Sequence, residues 1–286
     1  MTITIIGGGI IGLTTAFELT ERGENVHLID AGTSDYGTAE DGTALYPAAS
    51  HYAGGMLAPI AEVQFQQDEL FPLMTASADA YPSLMERLSR ATDLPTGYDT
   101  TGTLIVAADR ADAEHLQRTR AYYRDMNRPA EPVTPTQARA LEPLLAPRIA
   151  GAVSIPSDHQ LHPRLMRRAL KDALTRRGVT FSTERVTDPE AGDIICIGLG
   201  ATLHGDYPLR PVYGDILRLR APRPILKHVV RGYVNSRPVY LIPRPDGELC
   251  IGATSREDHR TLPAIDGVHQ LLRDAIRLVP AVEECE

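Results

Sequence analysis

The sequence predicts an α/β fold in which a domain built on a parallel sheet interleaves with a second, β-rich domain. Residues 2–6 are a short β-branched run that stops at three glycines. The helical pattern of residues 10–22 and the apolar run of residues 26–30 complete a strand–helix–strand unit. From residue 211 the pattern changes to strands of alternating polarity separated by turns. The strand–helix–strand unit is typical of a Rossmann-type domain, and the alternating strands after residue 211 are typical of an antiparallel sheet.

A glycine-rich turn joins the first strand to the first helix. Gly7, Gly9 and Gly12 fill the pattern G-x-G-x-x-G, whose glycines permit a tight bend, a close approach of pyrophosphate and close helix packing. The N–H groups and the dipole at the helix N-terminus favour phosphate, so Ile10 and Ile11 are also expected to contact it. Such a turn can also arise for steric reasons alone, but the flanking elements favour dinucleotide binding.

An acidic residue closes the second strand. Asp30 follows Gly12 at close to the spacing of about 20 residues at which a carboxylate binds ribose hydroxyls in dinucleotide-binding domains. We expect Asp30 and the adjacent Ala31 to bind the ribose, and the carboxylate to repel a 2′-phosphate. This pattern does not distinguish FAD from NAD.

Two further stretches are suited to pass close to the same ligand. Gly54 and Gly55 stand among small and apolar residues, so we expect Ala53, Gly54, Gly55 and Met56 to contact the cofactor, although a plain turn is the alternative. The apolar strand of residues 193–201 ends in glycines, as the strand beside the first one does in a doubly wound sheet. The remaining expected cofactor contacts are Val186, Gly198 and Gly200.

Composition and charge exclude several classes of protein. The chain has 286 residues, of which 43% are hydrophobic and 23% charged, as in a globular protein with a substantial core. A net charge of −8 argues against nucleic acid as a partner, and the basic residues between positions 164 and 177 are expected to form a solvated helix face. With no long apolar run and no signal-like leader, we expect no membrane span and a cytoplasmic location.

No metal site is expected. None of the three cysteines stands in a C-x-x-C pair or at metal-ligand spacing, so reduced structural thiols are predicted. Asp158, His159 and His162 lie close together in the sequence, but no further ligand completes a site, and we interpret them as loop and cap residues.

The other elements follow from period, proline and glycine signals. Helices are predicted over residues 66–90 with a break or bend near two prolines, 111–127, 134–143 and 163–177. Strands are predicted over residues 102–107, 151–156, 179–181, 214–220, 238–243 and 248–254.

Several stretches also follow one another in the order seen in a known family. They are residues 7–12, 53–59, 141–143, 210–215, 240–244 and 252–254. In this order they resemble the D-amino acid oxidase-like family of FAD-dependent oxidoreductases, and most of all its glycine oxidase branch in thiamine biosynthesis. The similarity covers nearly the whole chain.

The resemblance implies noncovalently bound FAD and a homo-oligomer. It implies an FAD-binding domain of residues 1–95 and 155–210 and a substrate domain of residues 96–154 and 211–286. The implied activity is oxidative deamination of glycine or another small amino acid by molecular oxygen, giving imine or 2-oxo acid, ammonia and hydrogen peroxide. Tyr240 matches a family tyrosine that helps to hold the substrate carboxylate, and a tyrosine packed at a domain boundary is the alternative interpretation.

The family pattern is incomplete here. Family members continue past a segment that matches residues 278–281 to a G-L-R-P motif and a glycine-rich flavin loop, and this sequence ends at Glu286 before either. The arginine of that motif pairs with the substrate carboxylate, and no arginine here matches it. Three interpretations stay open: an amino acid oxidase, a sarcosine oxidase-like or dehydrogenase-like flavoenzyme, and a nucleotide-binding fragment that does not turn over.

Overall fold

The structure is a computed structural model that describes residues 2–32, 37–38, 44–45, 49–62, 69–125, 129–187, 193–199, 209–210, 212–258 and 262–286. The helices are α1 (Ile10–Glu21), α2 (Ala49–Tyr52), α3 (Phe71–Ala91), α4 (Arg110–Asp125), α5 (Pro135–Leu141), α6 (Pro163–Arg176) and α7 (Ile265–Leu278). The strands are β1 (Thr2–Ile6), β2 (Asn25–Ile29), β3 (Gly37–Thr38), β4 (Ala44–Leu45), β5 (Met56–Leu57), β6 (Thr103–Ala107), β7 (Glu131–Val133), β8 (Gly151–Ile155), β9 (His159–Gln160), β10 (Thr180–Ser182), β11 (Ile194–Ile195), β12 (Ile216–Arg220), β13 (Val229–Val234), β14 (Arg237–Pro243) and β15 (Glu248–Gly252).

The chain forms two compact units. The first comprises Met1–Gly55, Pro82–Gly97 and His162–Pro211, and the second comprises Met56–Tyr81, Tyr98–Leu161 and Val212–Glu286. Residues 56–81 therefore lie in the second unit, whereas the sequence prediction grouped them with the first domain. The reason is their pairing and packing, because β5 pairs with β9 and Phe71 joins the second unit's core.

The first unit is built on a four-stranded parallel sheet in the order β10-β2-β1-β11. As predicted, the strand at residues 194–195 lies beside β1, but it is shorter than expected, and a helical turn follows at Gly198 and Leu199. Phe17 of α1 is fully buried, which stabilises such a unit by about 1.5–3 kcal/mol per large side chain. Helix α6 packs against α1 and begins with the predicted proline at its first position.

The second unit contains a seven-stranded sheet in the order β12-β15-β14-β13-β6-β8-β7. All neighbours are antiparallel except β13 and β6, which are parallel. Alternate residues of β13 pack on opposite faces: Val230 lies with Leu278 of α7 in one core, and Tyr233 lies with Tyr123 of α4 in another. Because both faces are covered, all five residues of β6 are buried.

Turn and cap chemistry agrees with the sequence in this unit. Thr134 and Gln137 form the capping box of α5, and a turn before Glu248 joins β14 to β15. Helix α3 starts later than predicted and runs through Pro82 without ending, which forgoes one backbone hydrogen bond at the proline. In the described parts of the chain, no helix has both the length and the apolar character needed to cross a membrane.

Candidate functional site

The glycine turn of the first unit has the geometry that the sequence predicts. Gly7 has a φ of +112°, a backbone conformation that glycine adopts without strain. A Cβ atom on Gly12 would lie 1.9 Å from the carbonyl oxygen of Gly7, and one on Gly7 would lie 2.3 Å from that of Cys196. The turn, the start of α1 and the end of β11 therefore pack at backbone distance, and no larger side chain fits.

Helix α1 begins directly at this turn. Gly9 is its N-cap residue and has no side chain to cap it. The Ile10 N–H donates to the Ser50 Oγ at 3.3 Å, and the Ile11 side chain beside it is 69% exposed. Backbone N–H groups of a first helical turn favour an anion, and here they are presented next to backbone that only glycine permits.

Asp30 lies against the same turn. A Cβ atom on Gly8 would lie 2.4 Å from the Asp30 Oδ2, and the Gly32 N–H donates to the Oδ1 at 3.1 Å. The carboxylate is thus fixed at the end of β2, next to Ala31. The structure brings together the predicted glycines and the predicted acidic residue at one edge of the parallel sheet.

Two arginines of α6 contribute to this edge, which the sequence analysis missed. Arg167 donates from Nη2 to the carbonyl oxygen of Gly8 at 3.3 Å, and Arg164 donates from Nε to that of His51 at 3.0 Å. The Nε of Arg167 is buried and has no partner among the described residues. The prediction of a solvated face was therefore wrong for these two residues. Their i, i+3 spacing was the only sequence signal that they share a face.

The other predicted cofactor contacts are dispersed. Ala53, Gly54 and Gly55 follow α2 in the first unit, whereas Met56 begins β5 in the second. The remaining three lie as follows: Val186 is half-buried after β10, Gly198 follows β11, and Gly200 lies outside the described residues. Gly198 comes at the end of β11 that adjoins the end of β1, and parallel strands share that edge.

In the second unit, Tyr240 stands on β14 between two neighbouring strands. It lies directly opposite Arg231 of β13 and Gly252 of β15, so these three residues share one face of the sheet. A Cβ atom on Gly252 would lie 2.4 Å from the Cζ and Oη atoms of Tyr240. The ring therefore covers the glycine. Burial raises the pKa of Tyr240, so the phenol keeps its proton and serves as a hydrogen-bond donor.

An ion pair lies beside Tyr240. The Arg231 Nη1 contacts the Glu62 Oε1, and the side chains are 11% and 42% exposed, respectively. Burial is the largest single influence and lowers the pKa of Arg231, but the charge and hydrogen bond of Glu62, together with Tyr233 and Tyr123, outweigh it and the net shift is upward. Arg231 therefore stays charged. The pair joins the segment after β5 to the middle of the sheet, and the sequence analysis did not find it.

Asp158 fixes the segment that carries Glu62. Its side chain is fully buried, its Oδ2 accepts from the Ala61 N–H at 3.2 Å, and the Ile60 N–H also bonds to the carboxyl group. Burial raises the pKa of Asp158 to about 7, against the lowering effect of these two backbone hydrogen bonds. Asp158 lies in the predicted loop and His162 is the N-cap residue of α6, whereas His159 lies in β9 rather than in a loop. His159 bonds through Nδ1 to Tyr98 at 2.7 Å, and the described residues contain no metal-binding cluster.

Comparison with known proteins assigns the family. The sequence profile of the FAD-dependent oxidoreductase (DAO) family matches residues 2–286. The chain belongs to this family. The predicted resemblance and the predicted two-part α/β fold are thereby confirmed, and FAD is the cofactor of the family.

The most similar relatives include glycine oxidases. The glycine oxidase of Geobacillus kaustophilus is 30% identical over 99% of this chain and 78% of its own length. A Rhizobium etli protein named as a putative thiamine biosynthesis oxidoreductase, ThiO, is 30% identical over 99% of this chain and 80% of its own length. The bifunctional protein ThiO/ThiG of Nostoc sp. is 28% identical over 99%, and this chain spans 44% of its length. The crystal structure of the Geobacillus kaustophilus glycine oxidase matches with a TM-score of 0.83 and 28% identity over 99% of this chain and 79% of that one.

The first unit fits FAD. Gly9 at the start of α1 has no capping side chain, which suits backbone contact with a pyrophosphate, Asp30 presents a carboxylate suited to ribose hydroxyls, and Arg167 adds a positive charge next to the turn. These groups match the two phosphates and the ribose of a dinucleotide.

Proposed function

We propose that this chain catalyses the FAD-dependent oxidative deamination of glycine or another small amino acid. The observation that carries the proposal is its similarity to a glycine oxidase over 99% of its own length at 30% identity. With glycine, the balanced reaction consumes one molecule each of amino acid, oxygen and water and forms glyoxylate, ammonia and hydrogen peroxide. FAD, when bound, supplies the acceptor for the two electrons that leave the substrate.

In this proposal one compact unit binds FAD and the other binds the substrate carboxylate. The first unit binds FAD: Gly7, Gly9 and Gly12 with the start of α1 take the pyrophosphate, and Asp30 takes the ribose. The second unit presents Tyr240, whose phenol donates a hydrogen bond to the substrate carboxylate. Because burial keeps this phenol protonated, the interaction is a charge-assisted hydrogen bond and the tyrosine positions the substrate without exchanging a proton.

The names of two relatives support a role of this reaction in thiamine biosynthesis. The Rhizobium etli relative is named for that pathway and the Nostoc relative combines ThiO with ThiG. We propose that this chain supplies the product of glycine oxidation to the thiazole branch. Molecular oxygen as the electron acceptor is proposed on the same similarity to oxidases.

The proposal is tested by an anaerobic titration of the FAD-loaded chain with glycine while the visible flavin absorption is followed. Bleaching by glycine, with reoxidation and peroxide formation on admission of air, is the expected result. Glycolate, which carries the carboxylate without the amine, is the control and leaves the flavin oxidised. A flavin that binds but stays oxidised with glycine would contradict the proposal. Faster bleaching by sarcosine would favour the sarcosine oxidase-like alternative.

A further inference from the structure

The ion pair beside Tyr240 includes a carboxylate, Glu62, that has no role in the proposed reaction as described above. The Glu62 side chain is 42% exposed, whereas that of its partner Arg231 is only 11% exposed. Tyr240 and Arg231 are direct cross-strand partners, and the charges of Glu62 and Arg231 both act on the Tyr240 phenol. The exposed end of the ion pair is thus the acidic one, on the face that carries the candidate carboxylate-binding tyrosine.

Glu62 is held there by the fold. Its Oε1 contacts the Arg231 Nη1, and the two preceding N–H groups, of Ile60 and Ala61, donate to the buried carboxylate of Asp158. A side chain fixed through its backbone and through one of its oxygens loses little further freedom on binding a ligand. None of the described residues donates a hydrogen bond to the other oxygen, Oε2.

We propose that Glu62 determines specificity by accepting a hydrogen bond from the amino group of the substrate. The inference deepens the proposed function and rests on it. The substrate carboxylate lies on the Tyr240 phenol, which donates, and the amino group lies on the Glu62 Oε2, which accepts. An α-amino acid presents these two groups on one carbon, so a donor and an acceptor on one sheet face match its two ends.

The charge of Glu62 also discriminates among amines. Arg231 neutralises part of it, but the Glu62 side chain is half-exposed, and a second anionic group next to it is disfavoured. Glycine and the N-methylated amine sarcosine offer an N–H to this oxygen. Iminodiacetate, which carries a second carboxymethyl group on the nitrogen, brings a like charge to the same place. Glu62 therefore favours amines with small uncharged substituents.

The test compares Glu62→Gln with wild type in two measurements on the FAD-loaded chain. Glutamine keeps the size of the side chain and removes its charge. Anaerobic calorimetry on protein whose FAD has first been reduced, so that glycine is not consumed, gives the Kd of glycine and of acetate, which lacks the amine. Steady-state kinetics give kcat/KM for glycine and for iminodiacetate. The matched control is Glu131→Gln, an exposed glutamate on β7 of the same sheet, and thermal unfolding checks that each variant is folded.

We expect Glu62→Gln to weaken glycine binding by roughly tenfold to a hundredfold and to leave acetate within about twofold. The ratio of kcat/KM for iminodiacetate to that for glycine rises by at least about tenfold, and Glu131→Gln changes neither quantity. Equal losses for glycine and acetate, or an unchanged ratio, overturn the inference and leave Glu62 as a structural ion-pair partner.

Failure of the proposed function gives a different pattern. If glycine binds in a Glu62-dependent way but does not bleach the flavin, the oxidase proposal fails and the recognition role of Glu62 stands. If glycine bleaches the flavin equally well in the variant and wild type, the oxidase proposal stands and the inference fails. A wild-type chain that binds neither ligand overturns both.

Discussion

The ring of Tyr240 occupies the space above Gly252, because a Cβ atom on that glycine would lie 2.4 Å from the phenol oxygen. The two residues are direct partners on β14 and β15. The phenol oxygen is therefore positioned by a neighbouring strand as well as by its own. This contact ties a buried, protonated donor to the rigid centre of the sheet, where hydrogen-bonded strands hold it more firmly than a loop would.

Gly252→Ala is expected to displace the phenol. The added methyl group overlaps the ring, so Tyr240 must move, and the KM for glycine should rise by about tenfold or more, since a small misplacement of a positioning group is costly. The FAD Kd should not change because the first unit is untouched. Gly151→Ala is the control, since its Cβ atom would make an ordinary 3.6 Å contact on β8. Steady-state kinetics and flavin titration measure both quantities, and an unchanged KM would contradict the assignment of Tyr240.

Tyr240→Phe isolates the hydrogen bond from the packing. The variant keeps the ring over Gly252 and loses only the O–H group, so thermal stability should change little. The loss of one hydrogen bond to a charged group is worth about 1.5–3 kcal/mol, which corresponds to a rise in KM of roughly tenfold to a hundredfold. The measurement is the initial rate against glycine concentration. If KM stays at the wild-type value, the tyrosine is a packing residue and the carboxylate is held elsewhere.

Local signals made the nucleotide-binding part of the fold predictable. The strand, glycine turn, helix and closing Asp30 lie within about thirty residues of one another, and each signal depends on near neighbours in the chain. Strand β13 was missed because Arg231 and Gly232 interrupt its apolar pattern. Its place in the sheet comes from parallel pairing with β6, which lies more than a hundred positions earlier.

The polar part of the candidate site was predictable only where a motif marked it. Tyr240 was found through a resemblance, but nothing near Glu62 in the sequence indicates Arg231, which lies 169 positions away. Arg167 was read as a solvated residue because a basic helix face is usually exposed. The fold turns this arginine toward a backbone carbonyl. Pairings of this kind depend on tertiary packing, which composition and period do not encode.

Arg167→Gln is expected to weaken FAD binding. The guanidinium lies 3.3 Å from the carbonyl oxygen of Gly8 and has a buried Nε without a partner among the described residues. Its loss removes both a positive charge near the expected pyrophosphate and a support of the turn, so the Kd for FAD should rise by roughly tenfold. Arg168→Gln, on the exposed side of the same helix, should leave the Kd unchanged. Fluorescence titration of the apoprotein with FAD measures both, and equal Kd values in the two variants would contradict this role.

Asp158 should make the stability of the chain fall as the pH rises. Burial raises its folded pKa to about 7 from an ordinary value of 3.8. Between these values the unfolded chain releases the proton and the folded chain keeps it, so the free energy of unfolding decreases with pH in this window and levels off above about 7. Asp158→Asn retains an oxygen that can accept from the Ala61 N–H and removes the titration. Urea unfolding at pH 5 and pH 8 measures the effect, with Asp109→Asn on a half-exposed carboxyl as the control. The stability of Asp158→Asn relative to wild type should increase between the two pH values, and a constant difference would show that Asp158 is ionised throughout.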